Sequence, residues 1–104
     1  MKNILFAVGL SLLLSACSGA EAEAKKAVLD RLKDPDSAKF GEFTQVNERK
    51  ACLTVNARNS MGGYTGDQQA VLMKYGEKWL AVAIVEVSHE NCTDLHKQTS
   101  EGSN

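Results

Sequence analysis

Between residues 40 and 87, apolar side chains recur in four short segments that turn-forming sequences separate. In the second segment they occupy every second position from Ala51 to Ala57, which is the period of two typical of a β-strand. The predicted strands span residues 40–46, 50–58, 68–75 and 79–87. The last strand is apolar on both faces except at Glu86, which is typical of a strand in the middle of a sheet.

A helix is predicted before the strands, over residues 21–33. This stretch is rich in good helix formers, and Ala24, Val28 and Leu32 repeat every four residues along one face. We expect the helix to end before Pro35, because the residue preceding a proline disfavours the helical region. The predicted fold class is α+β, with one N-terminal helix packed on a small antiparallel sheet of about four strands. The other face of the sheet is then left for loops, the tail or a partner.

The first sixteen residues have the organisation of an export signal. Met1-Lys2-Asn3 is a short cationic head, and residues 4–14 are an apolar segment broken only by Gly9 and Ser11. At about eleven residues this segment is too short to cross a bilayer and is typical of a signal-peptide core. Residues 1–16 are therefore predicted to be a signal peptide, and its removal leaves one small domain.

The sequence around the first cysteine, Leu14-Ser15-Ala16-Cys17, resembles the lipobox of bacterial lipoprotein precursors. The resemblance implies that Cys17 receives a diacylglyceryl group, that cleavage follows Ala16, and that the new amino terminus is acylated. Two or three acyl chains anchor a protein stably, since each buried CH₂ contributes roughly 0.8 kcal/mol. The alternative is an ordinary secretory signal with a chance cysteine.

The same resemblance predicts where the protein is placed. Residues 17–20 form a short lipidated tether, and the membrane is the first partner. Ser18 follows the cysteine, and by resemblance to Gram-negative lipoproteins a residue other than aspartate there implies export to the outer membrane, facing the periplasm. The formal net charge is −1 and there is no basic run, so no nucleic-acid partner is predicted.

Lipidation of Cys17 also accounts for the odd number of cysteines. Cys52 and Cys92 remain, in a compartment that permits disulfides. A bond between them closes a loop of about 40 residues and contributes on the order of 4 kcal/mol by the chain-entropy estimate. We expect this disulfide to form. The domain is predicted to span residues 21–92, followed by a polar, flexible tail over residues 93–104.

Residues 56–66 are the most distinctive internal segment. Their glycines permit positive φ, and their polar and aromatic side chains offer hydrogen-bond donors, acceptors and one aromatic face. We interpret the segment as a recognition loop for a protein or glycan, helped by the uncovered sheet face around Trp79. In the alternative, the glycines serve backbone geometry and the tyrosine packs on the sheet. The candidate binding residues are Asn56, Arg58, Asn59, Ser60, Tyr64 and Trp79.

Two segments taken together resemble a known group of proteins. These are residues 34–40 (DPDSAKF) and, after a cysteine-containing strand, residues 56–66 (NARNSMGGYTG). Over roughly residues 25–75 the chain is similar to small bacterial and phage-associated proteins that are often predicted lipoproteins and are largely uncharacterised. The resemblance implies a genuine domain, and it carries over no catalytic residues.

The sequence contains residues that could form a metal site or a catalytic site. Cys52, His89, Cys92 and His96 would together form a ligand set that zinc accepts. Neither cysteine belongs to a closely spaced pair, however, and an oxidising periplasm favours the disulfide, so no metal or cofactor is predicted. Catalysis by a serine–histidine triad lacks a nucleophile-elbow pattern, and Glu86 with Glu90 is more typical of surface charges than of an acid–base pair. No enzymatic activity is predicted.

These observations predict a non-enzymatic, lipid-anchored periplasmic domain that binds another envelope component, either a protein or a glycan. Three alternatives remain. A phage-encoded lipoprotein could block an outer-membrane receptor and exclude superinfecting phage. A lysozyme inhibitor is suggested because residues 60–64 resemble the serine-glycine-tyrosine loop of such inhibitors. A structural subunit of an envelope complex would use partner contacts on the bare sheet face.

Overall fold

The computed structural model describes residues 19–102 of the chain. Residues 19–29 form helix α1, and a short 3₁₀ turn follows at Pro35–Ser37. The remaining elements are β1 (Lys39–Asn47), β2 (Lys50–Asn56), β3 (Gln68–Tyr75), β4 (Lys78–Val85) and α2 (His89–Gly102). The predicted α+β fold is confirmed, with a C-terminal helix in addition to the one expected.

The four strands form one antiparallel sheet in the order β1-β2-β3-β4. Each strand therefore pairs with its neighbour in the chain, and β1 and β4 are the two edges. The hairpin between β3 and β4 turns through Gly76 and Glu77, and Gly76 has a φ of 62°, a conformation that glycine adopts without a side-chain clash.

Helix α1 covers the first face of the sheet. Ala24 and Val28 are fully buried against a cluster that includes Leu53 and Leu72, so the predicted apolar stripe is confirmed. The helix ends at residue 29 rather than 33, because Arg31 N donates to Val28 O at 2.9 Å and tightens the chain into a turn. Leu32 still packs against the core from beyond that turn.

Helix α2 covers the second face. A disulfide joins Cys52 on β2 to Cys92 on α2, with an S–S distance of 2.02 Å, as predicted. Since side chains alternate across a strand, Cys52 points away from the face on which Leu53 contacts α1. The sheet therefore lies between the two helices, and residues 51–55 of β2 are all buried.

The prediction of a flexible tail over residues 93–104 is wrong for residues 93–102, which belong to α2. Ser88 begins the helix as its N-cap, since Ser88 Oγ accepts a hydrogen bond from Asn91 N at 3.1 Å. The disulfide at Cys92 and the buried ring of His96 then hold this polar helix on the sheet. Tertiary contacts thus stabilise a segment whose composition alone is typical of a disordered tail.

The prediction that the fourth strand lies in the middle of the sheet is also wrong. β4 is an edge strand, and Leu80, Val82 and Val85 are each between 38% and 40% exposed. The face around Trp79 is not the uncovered one, because Trp79 is only 4% exposed and belongs to the core cluster beneath α1. The uncovered apolar side chains of β4 are those on the α2 side, where α2 contacts β1, β2 and β3.

The predicted signal peptide and the predicted lipidation site, Cys17, lie outside the described residues. Of the predicted tether, residues 19 and 20 belong to α1. No helix within residues 19–102 is both long and apolar enough to cross a membrane.

Candidate functional site

The loop between β2 and β3, residues 57–67, is hereafter the Met61 loop. It is a small irregular hairpin, because Arg58 and Tyr64 form an isolated antiparallel bridge across it. At its tip, Asn59 N donates to Gly63 O at 2.9 Å and Gly62 N donates to Asn59 O at 3.0 Å. Gly62 has a φ of 88°, which only glycine adopts without strain. The main chain of the tip is therefore held by its own hydrogen bonds.

Asn59 organises the tip with its side chain. Its Oδ1 accepts hydrogen bonds from Met61 N at 2.9 Å and from Gly63 N at 3.3 Å. This is the local side-chain-to-backbone bonding by which asparagine stabilises turns. The side-chain oxygen of Asn59 is thereby engaged within the loop itself.

Asn56 performs the same task at the base of the loop. Its Oδ1 accepts a hydrogen bond from Gly66 N at 3.1 Å, and Thr65 N donates to Ala57 O at 3.1 Å beside it. Gly66 has a φ of 84°, so the loop returns to β3 through a second position that favours glycine.

The Met61 loop rests on the turn before β1. Arg58 N donates to Ser37 Oγ at 2.8 Å, and Tyr64 Oη donates to Ser37 O at 3.2 Å. The Arg58 guanidinium pairs with Asp34 Oδ2 at 3.0 Å, and Lys39 Nζ lies 4.7 Å from the centre of the Tyr64 ring. The two segments that the sequence singles out, 34–40 and 56–66, are therefore one structural unit.

The structure brings five of the six candidate binding residues together and separates the sixth. Asn56, Arg58, Asn59, Ser60 and Tyr64 all lie in or beside the Met61 loop, whereas Trp79 lies under α1. Four of the five make internal contacts that shape the loop, which favours the alternative in which its polar residues serve local geometry. Ser60 lies at the exposed tip.

The side chain most available for contact is Met61, which is not among the candidate binding residues predicted from the sequence. It is 92% exposed, and the Tyr64 ring beneath the tip is 45% exposed. The sequence does contain a feature that indicates Met61, since a large apolar side chain stands there between a serine and two glycines. Thus the arrangement presents one flexible apolar side chain on a main chain that hydrogen bonds hold in place.

Asn59→Ala is expected to loosen the tip without unfolding the domain. The substitution removes both acceptor contacts of the Asn59 amide, and we expect the free energy of unfolding to fall by about 1 kcal/mol. Hydrogen exchange of the Met61 and Gly63 amides should accelerate. Ser60→Ala at the neighbouring exposed position is the control and should change neither quantity. Unchanged exchange in Asn59→Ala would contradict this role.

The two histidines of α2 hold that helix on the sheet. His89 Nε2 is 2.8 Å from Thr44 Oγ1 on β1, and its Nδ1 is 2.8 Å from Gln69 Oε1 on β3. Cys52 and Cys92, the two cysteines of the possible zinc ligand set, are joined in a disulfide, so neither is a thiolate ligand. Within residues 19–102, no three or more histidine, cysteine, aspartate or glutamate residues are grouped to hold a metal ion.

His96 is buried between α2 and the sheet, where its Nε2 donates to Leu72 O at 3.2 Å. Burial lowers the pKa of His96 below its ordinary value of 6.5, and the nearby Lys50 charge lowers it further. Protonation therefore favours the unfolded chain, in which the ring is solvated. The buried ring carries no charge at neutral pH.

Acidification is expected to destabilise the domain through His96. Because its pKa is lowered on folding, its contribution is complete above pH 6.5 and is lost as the pH falls from 6.5 to the lowered value. Urea denaturation between pH 7.5 and 5 should show a falling free energy of unfolding. In His96→Gln the slope over this interval should be smaller, whereas an equal slope in both proteins would contradict the assignment.

The sequence matches no protein-family model, and neither a curated protein nor a solved structure is significantly similar to the chain. The resemblances to lipoprotein precursors and to the small phage-associated proteins therefore stay predictions from sequence.

Proposed function

We propose that this chain is a non-enzymatic, lipid-anchored binding module of the outer membrane, facing the periplasm, and that the tip of the Met61 loop contacts an envelope protein. The observation that carries the proposal is the 92% exposure of Met61 on a loop held by internal hydrogen bonds. Exposed single apolar residues are ordinary on protein surfaces. An exposed apolar residue on a loop whose main chain is held by hydrogen bonds, as at Met61, is more specific than a single exposed apolar residue.

Two physical arguments support a protein as the ligand of this tip. Methionine is unbranched and polarisable, so it adapts to irregular apolar pockets and is common at binding surfaces. Because the loop is already ordered by Asn59 and Asn56, little main-chain entropy is lost on binding. A glycan would instead need free polar groups, and the amide oxygens of both asparagines are engaged within the loop.

Photo-crosslinking in intact cells tests this proposal. A photoreactive amino acid replaces Met61 in one variant and Glu48, an exposed residue of the β1–β2 turn, in the matched control. We expect an adduct with an envelope protein from position 61 and none from position 48. A Met61→Ser chain co-expressed without the probe should not compete for the partner, whereas a Met61→Leu chain should. Equal adducts from both positions would contradict the proposal.

A structural subunit of an envelope complex is the second candidate. It is favoured by an apolar groove of about 250 Å³ between α2 and the strands β3 and β4, which includes Val71, Met73 and Leu95. The Leu95 side chain is more than half exposed. Adducts with another protein from a probe at Leu95, in the absence of any from Met61, would support this candidate over the first.

A further inference from the structure

A polar cavity of about 360 Å³ lies where α2 begins, over the end of β2 and the start of β3. Its floor includes Thr54 and Gln69, which are only 9% and 3% exposed. Glu42, Asp67 and residues 87–89 are among those that line its sides. Since a water molecule occupies about 30 Å³ of liquid, the cavity has the volume of about twelve waters. This is the size of a small molecule or of the first residues of a peptide.

Hydrogen bonds fix the orientation of the Gln69 amide at the floor of the cavity. His89 Nδ1 donates to Gln69 Oε1 at 2.8 Å, because an amide oxygen only accepts. Thr54 Oγ1 donates to the same oxygen at 3.2 Å, and Thr44 Oγ1 lies 2.8 Å from His89 Nε2. Both lone pairs of the amide oxygen are therefore engaged, and the amide nitrogen lies on the other side of the group.

The amide nitrogen of Gln69 is a donor that faces the cavity. It makes no hydrogen bond with the described part of the chain. In that part, every fully buried side-chain nitrogen or oxygen has a hydrogen-bond partner, so Gln69 Nε2 must reach accessible space, and the cavity is the space that Gln69 lines. A donor in so buried a residue favours a ligand that brings an acceptor, such as a carbonyl oxygen.

A bulge in β1 brings one carboxylate to the cavity. The pairing of β1 with β2 shifts its register between Phe40 and Phe43. Two residues, Gly41 and Glu42, therefore lie opposite the single residue Thr54. A Cβ on Gly41 would lie 3.2 Å from the Thr54 side chain, so glycine permits this close approach. Bulges are common next to functional sites, where they redirect a side chain.

The charge of the cavity is negative. Glu42 and Asp67 are both exposed at its sides, and no lysine or arginine of the described residues lines it. Neither carboxylate belongs to an ion pair within the described part of the chain. A cleft lined by charges of one sign attracts ligands of the opposite sign. The cavity thus combines two acceptors for a cation with one donor for a neutral oxygen.

We propose that this cavity binds the amino terminus of a peptide. The ammonium group lies beside the carboxylates of Glu42 and Asp67, and the first carbonyl oxygen accepts from Gln69 Nε2. One carbon separates these two groups in a peptide, so a ligand that fits the cavity supplies both. A free carboxylate in place of the carbonyl is disfavoured, because both acidic side chains repel it. This site does not involve Met61, and the inference is independent of the proposed function.

Titration of the isotope-labelled full chain in detergent micelles, followed by nuclear magnetic resonance, tests this inference. We expect glycylglycinamide to shift the side-chain amide signals of Gln69 saturably, with a dissociation constant on the order of 1 mM. N-acetylglycinamide is the same molecule without the ammonium group, and methylamine lacks the carbonyl, so each should bind about tenfold more weakly. Equal binding of N-acetylglycinamide, or no saturable shift with glycylglycinamide, would overturn the inference.

Conservative variants separate the charges of the site from its shape. Glu42→Gln and Asp67→Asn should each weaken glycylglycinamide binding about twofold to fivefold at low salt, and together about tenfold. Glu48→Gln, in the exposed β1–β2 turn, is the matched control and should leave binding unchanged. The imidazole nitrogen shifts of His89 should place its hydrogen on Nδ1. A hydrogen on Nε2 would reverse the Gln69 amide and overturn the inference, as would equal weakening by Glu48→Gln.

Discussion

Replacing both Cys52 and Cys92 with alanine is expected to lower the free energy of unfolding by about 4 kcal/mol. The disulfide links residues 40 apart in the sequence, and a cross-link of that span restricts the unfolded chain by about this amount in the chain-entropy estimate. Because marginal stability is typical of small domains, the variant should be largely unfolded at 37 °C. Urea denaturation of the two proteins measures the difference.

The same experiment has an internal control. Reduction of the wild-type protein with dithiothreitol should cause the loss seen in the double variant, and the reductant should leave the variant itself unchanged. Hydrogen exchange should accelerate most in α2, since the disulfide and His96 hold that polar helix on the sheet. A denaturation midpoint that does not move on reduction would contradict a stabilising role for the bond.

Cys17→Ala is expected to abolish acylation of the chain and its anchoring in the outer membrane. If the lipobox resemblance holds, Cys17 is the acylated residue and the acyl chains are the anchor, because apolar burial of the chains supplies the binding energy. Metabolic labelling with a palmitate analogue should mark the wild-type protein and leave the variant unlabelled. The variant should run as the uncleaved precursor, because the lipoprotein signal peptidase acts after lipidation.

Ser18 offers a matched control in the next position. Ser18→Ala should keep both the label and the outer-membrane location, whereas Ser18→Asp should keep the label and move the protein to the inner membrane. Palmitate labelling of Cys17→Ala would contradict lipidation at this residue. Outer-membrane recovery of Ser18→Asp would contradict the sorting prediction alone.

The spacing of apolar residues along the chain correctly predicted helix α1 and strand β3. The bounds predicted for the third strand, 68–75, agree with β3. The four-residue repeat of Ala24 and Val28 marks the buried stripe of α1. In both cases the period of the apolar residues already reports burial on one face.

The same reasoning was wrong where burial depended on what lies across the sheet. β4 is apolar on both faces, but only one face is covered, by α1. The other face is partly exposed because β4 is an edge strand. The sequence of an apolar strand is the same whether another strand or solvent lies beside it, so it does not distinguish a central strand from an edge strand. α2 has too few apolar residues to signal a helix, and its attachment depends on Cys52, forty residues earlier.

The sequence predicts where the candidate site lies along the chain, but not which of its side chains are exposed for contact. Glycines and asparagines at residues 56–66 marked an irregular loop, yet the sequence could not show that Asn56 and Asn59 bond to the main chain. The sequence predicts that both side chains are available to a ligand, because residue type alone does not show which hydrogen-bond partners a side chain already has. Because those bonds engage both asparagine oxygens, Met61 is the candidate contact.

By itself, the sequence determined the class of fold, the extent of most strands and the pairing of Cys52 with Cys92, the two cysteines outside the predicted lipobox. These properties follow from short-range periodicity and from cysteine count, which need no coordinates. Only the tertiary structure decided which strand lies at the edge, that residues 89–102 are helical, and which polar side chains of the Met61 loop are already engaged. Each of these depends on contacts between residues far apart in the chain, whose formation rests on the packing of the whole domain.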